Sequence, residues 1–268
     1  MRVARNQPAS PASTGPRLPL PLRRDSERKP AFFITGTDTG VGKTVVTAGL
    51  LRVLRAAGHR PGVLKPFASG CRVAPGTQRL ISEDAETLIA GLGREVDEAG
   101  LLDRVTPACF LEPLAPAPAA EAAGQAVPWD AIAAAVQAWD DDPATDVLLI
   151  EGVGGVEVPL DPQRPALTVL DLAADLAAPV LVVARPVLGT LNHTALTVRA
   201  LQASGCEVRG VVTCDAEGPT EPDTDPSIRT NRVWIERMTG VPVLAEVPYG
   251  LESVEPALAP LVSRLWGR

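Results

Sequence analysis

The residues best suited to chemistry form a glycine-rich run at positions 36–44, with the sequence GTDTGVGKT. An apolar, β-forming stretch at 31–34 precedes this run, and an amphipathic helical stretch at 45–57 follows it. A glycine-rich turn between a strand and a helix directs backbone N–H groups and a helix N-terminus at one point, which suits phosphate. In such a loop Lys43 reaches the β- and γ-phosphates, and the Thr44 hydroxyl ligates Mg²⁺. The sequence therefore predicts a site for a nucleoside triphosphate.

The glycine-rich run departs from the usual phosphate-loop pattern, G-x-x-x-x-G-K-[ST], at one position. Counting back from Gly42 puts Thr37 in the place of the first glycine, and Gly36 precedes it by one residue. Strand, loop, lysine–threonine pair and helix still follow one another in the expected order. We therefore interpret the run as a P-loop rather than as a chance glycine-rich turn.

Three further charged residues are candidates for the same site. Lys65 ends a predicted strand, where it would stabilise the charge on a transferring phosphoryl group; the alternative is a solvated strand-end lysine. Glu151 ends an apolar strand and opens the run EGVGG, which matches a second carboxylate for Mg²⁺. A glutamate so close to a core strand is costly unless it is paired. Asp84 lies at a predicted helix start, where the helix dipole alone also favours an acidic residue.

A second anion site is a further candidate, at residues 188–193. Their sequence, LGTLNH, follows a predicted strand and opens a predicted helix. The first N–H groups of a helix have no partner within it and are available to an anion. The alternative is an ordinary strand-to-helix turn, and the residues alone do not decide between the two.

Short apolar runs alternate with helical stretches along the chain, and several of these runs are continuously apolar. Continuous apolarity indicates strands that are covered on both faces, and hence a mostly parallel sheet. The pattern predicts a single-domain, doubly wound α/β fold of the P-loop NTPase type. The predicted strands are residues 31–35, 62–66, 146–150, 179–184, 209–214 and 242–247. The predicted helices are residues 44–57, 84–90, 129–139, 169–176, 190–204, 227–239 and 257–266. Residues 114–127 and 217–226 are expected to be a surface excursion and a mobile loop.

The 268 residues carry a net charge of −7 that is unevenly distributed. Residues 1–29 hold seven basic and two acidic side chains, or +5, so the remaining residues carry −12. We predict a disordered, proline-rich basic tail at 1–29 and one catalytic P-loop domain at 30–268. An acidic domain argues against a nucleic-acid partner, and no apolar run is long enough to span a membrane. Four widely spaced cysteines without a CxxC pair suit a reducing, cytoplasmic location.

Five motifs together resemble the dethiobiotin synthetase family. They are GTDTGVGKT at 36–44, KPFASG at 65–70, Asp84 in the next helix, EGVGG at 151–155 and LGTLNH at 188–193. One of these motifs would indicate only a P-loop ATPase, whereas five in the order of the family make the resemblance specific. The likeness extends to Pro248, and so covers nearly everything after residue 29.

The resemblance implies an ATP- and Mg²⁺-dependent cyclo-ligase. In this reaction 7,8-diaminononanoate takes up CO₂ as a carbamate, ATP phosphorylates the carbamate, and the second amine closes the ureido ring of dethiobiotin. By family likeness Lys43 and Lys65 are catalytic and bracket the carbamate and the γ-phosphate. Thr44, Asp84 and Glu151 would hold Mg²⁺. The implied substrate contacts are Thr39 and Ser69 for the carbamate end, and Gly189, Thr190, Leu191 and Asn192, donated across a homodimer interface, for the substrate carboxylate.

The resemblance also implies a set of nucleotide contacts. They are Gly40, Val41, Gly42, Lys43, Thr44, Val45, Asp84, Glu151, Gly152, Val153, Gly154, Cys214, Asp215, Pro248, Tyr249, Gly250 and Glu255. Members of the family commonly read adenine with an asparagine where Cys214 stands here, and a cysteine cannot make the paired contacts of an amide. The sequence therefore leaves open whether ATP or another nucleoside triphosphate is preferred. Asp215 or residues 248–250 are the candidates that would compensate.

Two other functions stay open at this point. One is a related amide-forming ligase of the corrinoid diamide synthase type, which usually carries a glutaminase region that we do not expect after the last predicted helix. The other is a partitioning ATPase that acts as a nucleotide-switched interaction protein. Such ATPases typically have a second lysine early in the P-loop, where Asp38 stands here, and a basic or amphipathic surface that the acidic composition does not predict.

Overall fold

The computed structural model describes Leu18, residues 29–219 and residues 223–266, the side chain of Trp266 excepted. The predicted tail at 1–29 lies outside the described residues except for Leu18 and Lys29. Leu18 is buried and belongs to the hydrophobic core. The disordered tail therefore stays a prediction.

Strands and helices alternate along the described residues. The strands are β1 Ala31–Gly36, β2 Pro61–Leu64, β3 Phe67–Ala68, β4 Arg72–Val73, β5 Leu80–Ile81, β6 Ala108–Cys109, β7 Val147–Glu151, β8 Pro159–Asp161, β9 Arg164–Thr168, β10 Val180–Ala184, β11 Val208–Cys214 and β12 Val243–Val247. The helices are α1 Lys43–Ala56, α2 Glu83–Gly91, α3 Leu101–Val105, α4 Pro116–Ala122, α5 Trp129–Asp141, α6 Val169–Leu176, α7 Thr190–Ala203, α8 Ile228–Thr239 and α9 Leu251–Trp266.

The central sheet consists of six parallel strands in the order β12-β11-β10-β1-β7-β2. The first strand, β1, lies inside the sheet between β10 and β7. Because the carboxyl ends of parallel strands meet at one edge, the segments that follow β1, β2, β7 and β10 open on the same side. The predicted P-loop, Lys65 and residues 188–193 belong to these segments, and Glu151 is the last residue of β7.

The inner strands of the sheet are covered on both faces. Every residue of β1, β2, β7 and β10 is buried. Continuous apolar runs predict strands that are covered on both faces, so this burial confirms the doubly wound α/β fold. Helix α1 packs against α9 and α2, and α7 packs against α8. Valine, leucine, isoleucine and alanine fill most of the core because aromatic residues make up only 3% of the chain.

The contact between α1 and α9 is unusually close at Gly49. A Cβ atom at this position would lie 2.4 Å from Val254 Cγ1 and 2.7 Å from Leu258 Cδ1. The absence of a side chain therefore lets α9 approach the backbone of α1. This close contact with α9 restrains the position of α1, the helix that begins at Lys43.

Some of the predicted secondary structure was wrong. Residues 114–127 do not form only a surface excursion, because Pro116–Ala122 is a helix with a proline at its first turn and four buried residues. Helix α9 begins at Leu251 rather than at residue 257, because Pro256 and Pro260 lie inside the helix without ending it. Helix α3 and the paired short strands β3–β6, β4–β5 and β8–β9 were not predicted. The predicted loop at 217–226 lies partly outside the described residues.

Among the helices that the structure describes, none combines the length and the apolar character needed to cross a membrane.

Candidate active site

The P-loop connects the end of β1 to the first residue of α1. Gly42 caps α1 with a φ of 91°, in the left-handed region that favours glycine. A Cβ atom at Gly42 would also lie 2.6 Å from Cys214 Sγ, so the packing beneath the loop requires glycine as well. Lys43 is buried, and its Nζ donates a hydrogen bond to Asp38 O at 2.8 Å. The loop therefore presents its lysine and the N-terminus of α1 at one point.

Lys65 and Glu151 were predicted from separate strands, and they meet in the structure. Their strands β2 and β7 are neighbours, and Lys65 Nζ lies 2.6 Å from Glu151 Oε1 and 2.7 Å from Asp84 Oδ2. Glu151 Oε1 also accepts a hydrogen bond from Thr44 Oγ1 at 2.7 Å. Lys65 is only 4% exposed and Glu151 is fully buried. These contacts exclude the reading of Lys65 as a solvated lysine at a strand end.

The charged side chains at this site, of which Asp84 is about half exposed, shift one another's pKa values. Burial alone lowers the pKa of Lys65, but the carboxylates of Glu151 and Asp84 outweigh it, so the pKa is raised and the ammonium stays charged. Burial alone raises the pKa of Asp84, but the charge and hydrogen bond of Lys65 outweigh it, so the pKa is lowered. Burial lowers the pKa of Lys43 to about 8, because the more distant carboxylates only partly offset the loss of water.

A cavity of about 480 Å³ opens above these residues. The predicted site residues that line it are Thr39, Gly40, Gly42, Lys43, Thr44, Val45, Lys65, Ser69, Asp84, Val153 and Gly154. Sequence reasoning missed another wall, formed by Pro113, Leu114 and Ala115. This wall lies next to α4, in the segment that we expected to be a surface excursion, and its apolar composition gave no chemical signal.

The oxygen atoms of Thr44, Asp84 and Glu151 fit Mg²⁺. The Thr44 hydroxyl donates a hydrogen bond to Glu151 Oε1, and Glu151 Oε2 is buried with no hydrogen-bond partner among the described residues. A bound ion or a water molecule would explain a buried oxygen in this condition. The described parts of the chain hold no group of three or more His, Cys, Asp or Glu side chains that is arranged for a metal ion. Two carboxylates suit Mg²⁺ because this ion takes its other ligands from phosphates and water.

The predicted substrate contacts form two separate groups. Thr39 and Ser69 line the cavity, whereas residues 189–192 open α7 and are not among its lining residues. Gly189 caps α7 with a φ of 96°, and the N–H of Leu188 donates a hydrogen bond to Asp225 Oδ2 at 2.7 Å. The role of residues 189–192 therefore stays a prediction.

The predicted nucleotide contacts at positions 214–215 and 248–250 lie at the ends of β11 and β12. Cys214 is buried and packs beneath Gly42, while Tyr249 is about half exposed. Burial raises the pKa of the Cys214 thiol to about 12, so it stays protonated.

Glu255 Oε1 lies 2.7 Å from Arg52 Nε, and Glu255 lines a different cavity of about 670 Å³ between α1 and α9. Val41 is buried and Gly152 adjoins Glu151, and neither of them lines the P-loop cavity. Asp215, Pro248 and Gly250 complete the predicted set at the ends of β11 and β12.

Comparison with known proteins identifies the family. A family model described as an AAA domain matches residues 30–257. A protein of Anaeromyxobacter dehalogenans strain 2CP-1, named ATP-dependent dethiobiotin synthetase BioD, is 43% identical over 219 residues, which are 81% of this chain and 89% of the relative. A protein of the same name from Haloferax mediterranei is 39% identical and covers 87% of this chain and 90% of its own length. The chain belongs to the dethiobiotin synthetase family.

Membership in the dethiobiotin synthetase family confirms the assignment made from five motifs. A third relative of that name, from Rhodococcus erythropolis strain PR4, is 43% identical and covers 82% of this chain and 88% of the relative. Among solved structures, the MinC:MinD cell division protein complex of Aquifex aeolicus matches with a TM-score of 0.54 and 14% identity. That match covers 89% of this chain and 96% of the other, and it shows a shared fold only.

Proposed function

We propose that this protein is an ATP-dependent dethiobiotin synthetase, which makes dethiobiotin from 7,8-diaminononanoate and CO₂ in the biosynthesis of biotin. The observation that carries the proposal is the convergence of two buried lysines on one cavity. Lys43 comes from the P-loop and Lys65 from the end of β2, and both line the same 480 Å³ space. Relatives with this name that share 43% of their aligned residues with this chain support the same reaction.

The proposed reaction has three steps. One amine of the substrate attacks CO₂ and loses a proton, which gives a carbamate. A carbamate oxygen attacks the γ-phosphorus of ATP, and ADP leaves from a carbamic–phosphoric anhydride. The second amine then attacks the carbonyl carbon, phosphate leaves, and the ureido ring closes with loss of another proton. Such chemistry depends on positioning and charge neutralisation more than on a covalent nucleophile.

Two lysines are suited to these steps because negative charge accumulates where carbamate and γ-phosphate meet. Lys65 stays charged in the buried site because two carboxylates raise its pKa, and it lines the same cavity as the P-loop. Lys43 approaches the same charge from the helix N-terminus. Thr39 and Ser69 line the cavity with hydroxyl groups that suit hydrogen bonds to the carbamate end. Preorganised donors of this kind typically contribute factors of about 10² to 10³ in rate.

The Mg²⁺ ion of this proposal would be held by Thr44, Asp84 and Glu151. When bound, it would neutralise part of the negative charge that the triphosphate brings to the site. Glu151 Oε2 has no hydrogen-bond partner in the described part of the chain, and this supports the role. Lys65 contacts both carboxylates, so the same two side chains would position the lysine and the metal.

A homodimer is part of the proposal because the amides of residues 189–192 lie outside the P-loop cavity of their own protomer. Apolar side chains on α7, α8 and the segment before α7 are exposed, as expected of a surface that pairs with a second copy. They are Leu188, Leu196, Val233, Trp234 and Met238. We place the reaction in the cytoplasm, in keeping with four free cysteines.

The direct test is to incubate the purified protein with diaminononanoate, bicarbonate, Mg²⁺ and one nucleoside triphosphate at a time. We expect a product with the mass of dethiobiotin and release of one phosphate per ring, and no product when bicarbonate is left out. Comparing ATP, GTP, CTP and UTP in the same assay determines which base the site with Cys214 prefers. Hydrolysis of a nucleotide without formation of dethiobiotin would contradict the proposal.

A further inference from the structure

Arg185 lies on the outer side of the P-loop, and the proposed reaction does not use it. It follows β10, the neighbour of the P-loop strand, by one residue. Its Nη2 atom donates a hydrogen bond to Thr39 O at 3.2 Å and pairs with Glu217 Oε1 at 2.9 Å. Its Nε atom is buried with no hydrogen-bond partner among the described residues. One guanidinium thus connects the segments that follow β1, β10 and β11.

The ion pair of Arg185 and Glu217 lies directly against Gly40. A Cβ atom at Gly40 would be 3.0 Å from Glu217 Oε1 and 3.4 Å from Arg185 Nη2. Gly40 also has a φ of 75°, which a residue with a side chain rarely adopts. The backbone at this point is therefore in close contact with the ion pair.

Two consecutive carbonyl oxygens of the P-loop each accept a hydrogen bond from a cation. Lys43 Nζ, which lines the cavity, binds Asp38 O, and Arg185 Nη2 binds Thr39 O from outside. In the proposed function Lys43 turns towards phosphate, whereas nothing requires Arg185 to release its carbonyl. Hydrogen bonds from a charged donor are among the stronger ones. We therefore expect the contact from Arg185 to this segment to remain when nucleotide is bound.

We propose that Arg185 is a positioning residue that holds residues 38–40 of the P-loop and thereby sets the Thr39 hydroxyl for the substrate. Glu217 orients the guanidinium from the other side. The effect on substrate rests on the proposed function, because it requires Thr39 to contact the carbamate end. The effect on the position of the loop does not depend on the proposed function.

The first test measures the loop without any turnover. Arg185→Met keeps the apolar stem of the side chain and removes the donors, whereas Glu217→Gln keeps the bond from Arg185 to Thr39 O. Amide hydrogen exchange of the peptide that covers residues 37–42 is compared in the full-length variants with and without ATP and Mg²⁺. We expect exchange at least about fivefold faster in Arg185→Met and less than about twofold faster in Glu217→Gln. Equal exchange in wild type and Arg185→Met would overturn the proposal.

The second test is a double-mutant cycle with Thr39→Val, which removes the hydroxyl and keeps the carbonyl. We expect Arg185→Met to raise KM for diaminononanoate about tenfold, as loss of one charged hydrogen bond would do, with a much smaller change in KM for ATP. If Arg185 acts through Thr39, the double variant has a KM close to that of the worse single variant. If the increases in KM of the two single variants multiply in the double variant, Arg185 acts independently of Thr39, and the link to Thr39 would be overturned.

The two tests separate this proposal from the proposed function. A wild-type protein that makes no dethiobiotin, together with faster exchange in Arg185→Met, refutes the function and supports the anchoring role. A wild-type protein that makes dethiobiotin, together with unchanged exchange in the variant, refutes the anchoring role alone. Arg185→Lys is the second variant if Arg185→Met does not fold, and it should recover part of the exchange protection because lysine can reach one acceptor at a time.

Discussion

At the scale of single residues, the site is a small group of opposite charges in which Lys65 and Glu151 are buried and Asp84 is about half exposed. Lys65 contacts two carboxylates at 2.6 and 2.7 Å, and one of these also accepts a hydrogen bond from Thr44. Such a group is stable only when every member keeps a partner, because an unpaired buried charge is strongly destabilising. The residues that perform the chemistry therefore also constrain one another's position.

Replacing Lys65 with methionine should reduce turnover much more than nucleotide affinity. The proposed role of Lys65 is to stabilise charge that develops during phosphoryl transfer, so we expect kcat to fall at least about 100-fold. The Kd of ATP, measured by calorimetry, should change less than about threefold. Equal losses in both quantities would mean that Lys65 only binds the nucleotide. Circular dichroism and the melting temperature control for loss of folding, since the variant leaves two carboxylates without their shared cation.

Binding of ATP should take up protons near pH 8.5. Burial lowers the pKa of Lys43 to about 8 in the free protein, and a bound phosphate favours the charged form, so the pKa rises on binding. Below about pH 7 Lys43 is already charged and contributes no uptake, whereas above pH 8 more than about half a proton is bound per site. Calorimetry in buffers of different ionisation enthalpy measures this uptake, and Lys43→Arg removes it. An uptake that does not grow between pH 7 and 8.5 would contradict the assignment.

Replacing Glu151 with glutamine should raise the Mg²⁺ concentration needed for half-maximal activity by about tenfold or more. The amide removes one of the two carboxylates proposed as metal ligands, and its NH₂ group cannot accept from Thr44 or ligate a cation. A titration of activity against Mg²⁺ at saturating ATP measures the shift. Glu157→Gln, on the loop that follows β7, is the matched control. A metal titration that is the same in Glu151→Gln and wild type would remove Glu151 from the metal site.

At the scale of elements, the sheet and its nearest helices set the geometry of the site. Strands β1, β2 and β7 deliver the P-loop, Lys65 and Glu151 to one edge because they are parallel neighbours. Helix α2 adds Asp84 from its first turn. Helix α1 holds the P-loop lysine, and its position depends on close contact with α9 at Gly49.

The variant Gly49→Ala should destabilise the protein, although alanine is the better helix former. Helix propensity alone predicts a gain of about 1 kcal/mol. The added methyl would lie 2.4 Å from Val254 Cγ1, and overpacking of this kind typically costs about 1–3 kcal/mol. Urea unfolding of wild type and variant gives the sign directly. A higher midpoint in Gly49→Ala would show that α9 yields easily and does not fix α1.

Much of this arrangement could be predicted from the sequence because its signals are local. A continuous apolar run followed by a charged residue marks Lys65 and Glu151, and glycine spacing marks the P-loop. The helix α4 and the site wall at Pro113 could not be predicted, because a proline- and alanine-rich segment has no strong periodicity. The start of α9 was also missed, since Pro256 usually ends or kinks a helix. Arg185 gave no signal because its partners, Thr39 and Glu217, are distant in sequence.

At the scale of the whole molecule, the protomer separates two sets of predicted substrate contacts. The cavity at the P-loop holds the reacting groups, while the N-terminus of α7 lies apart, beside exposed apolar side chains. A closed two-fold dimer brings identical patches together and lets each copy complete the site of the other. The proposed dimer would therefore be required for a complete substrate site.

Two inactive variants should restore activity when they are mixed as subunits. Lys65→Met disables the reacting groups, and Asn192→Asp places a negative charge where the substrate carboxylate is proposed to bind. If α7 serves the partner's site, a mixed dimer contains one site without either change. Random mixing after unfolding and refolding should then give about a quarter of wild-type activity. Activity no higher than the average of the two variants would place both contributions in one protomer.

The balance of charge at the P-loop cavity has a consequence for inhibitor screening. Two ammonium groups and two carboxylates meet there, so the empty site offers little net attraction to a free anion. Phosphate, sulfate or acidic fragments tested alone should therefore be poor hits. Compounds that combine an anionic group with a chelated divalent ion match the electrostatics of the pocket better.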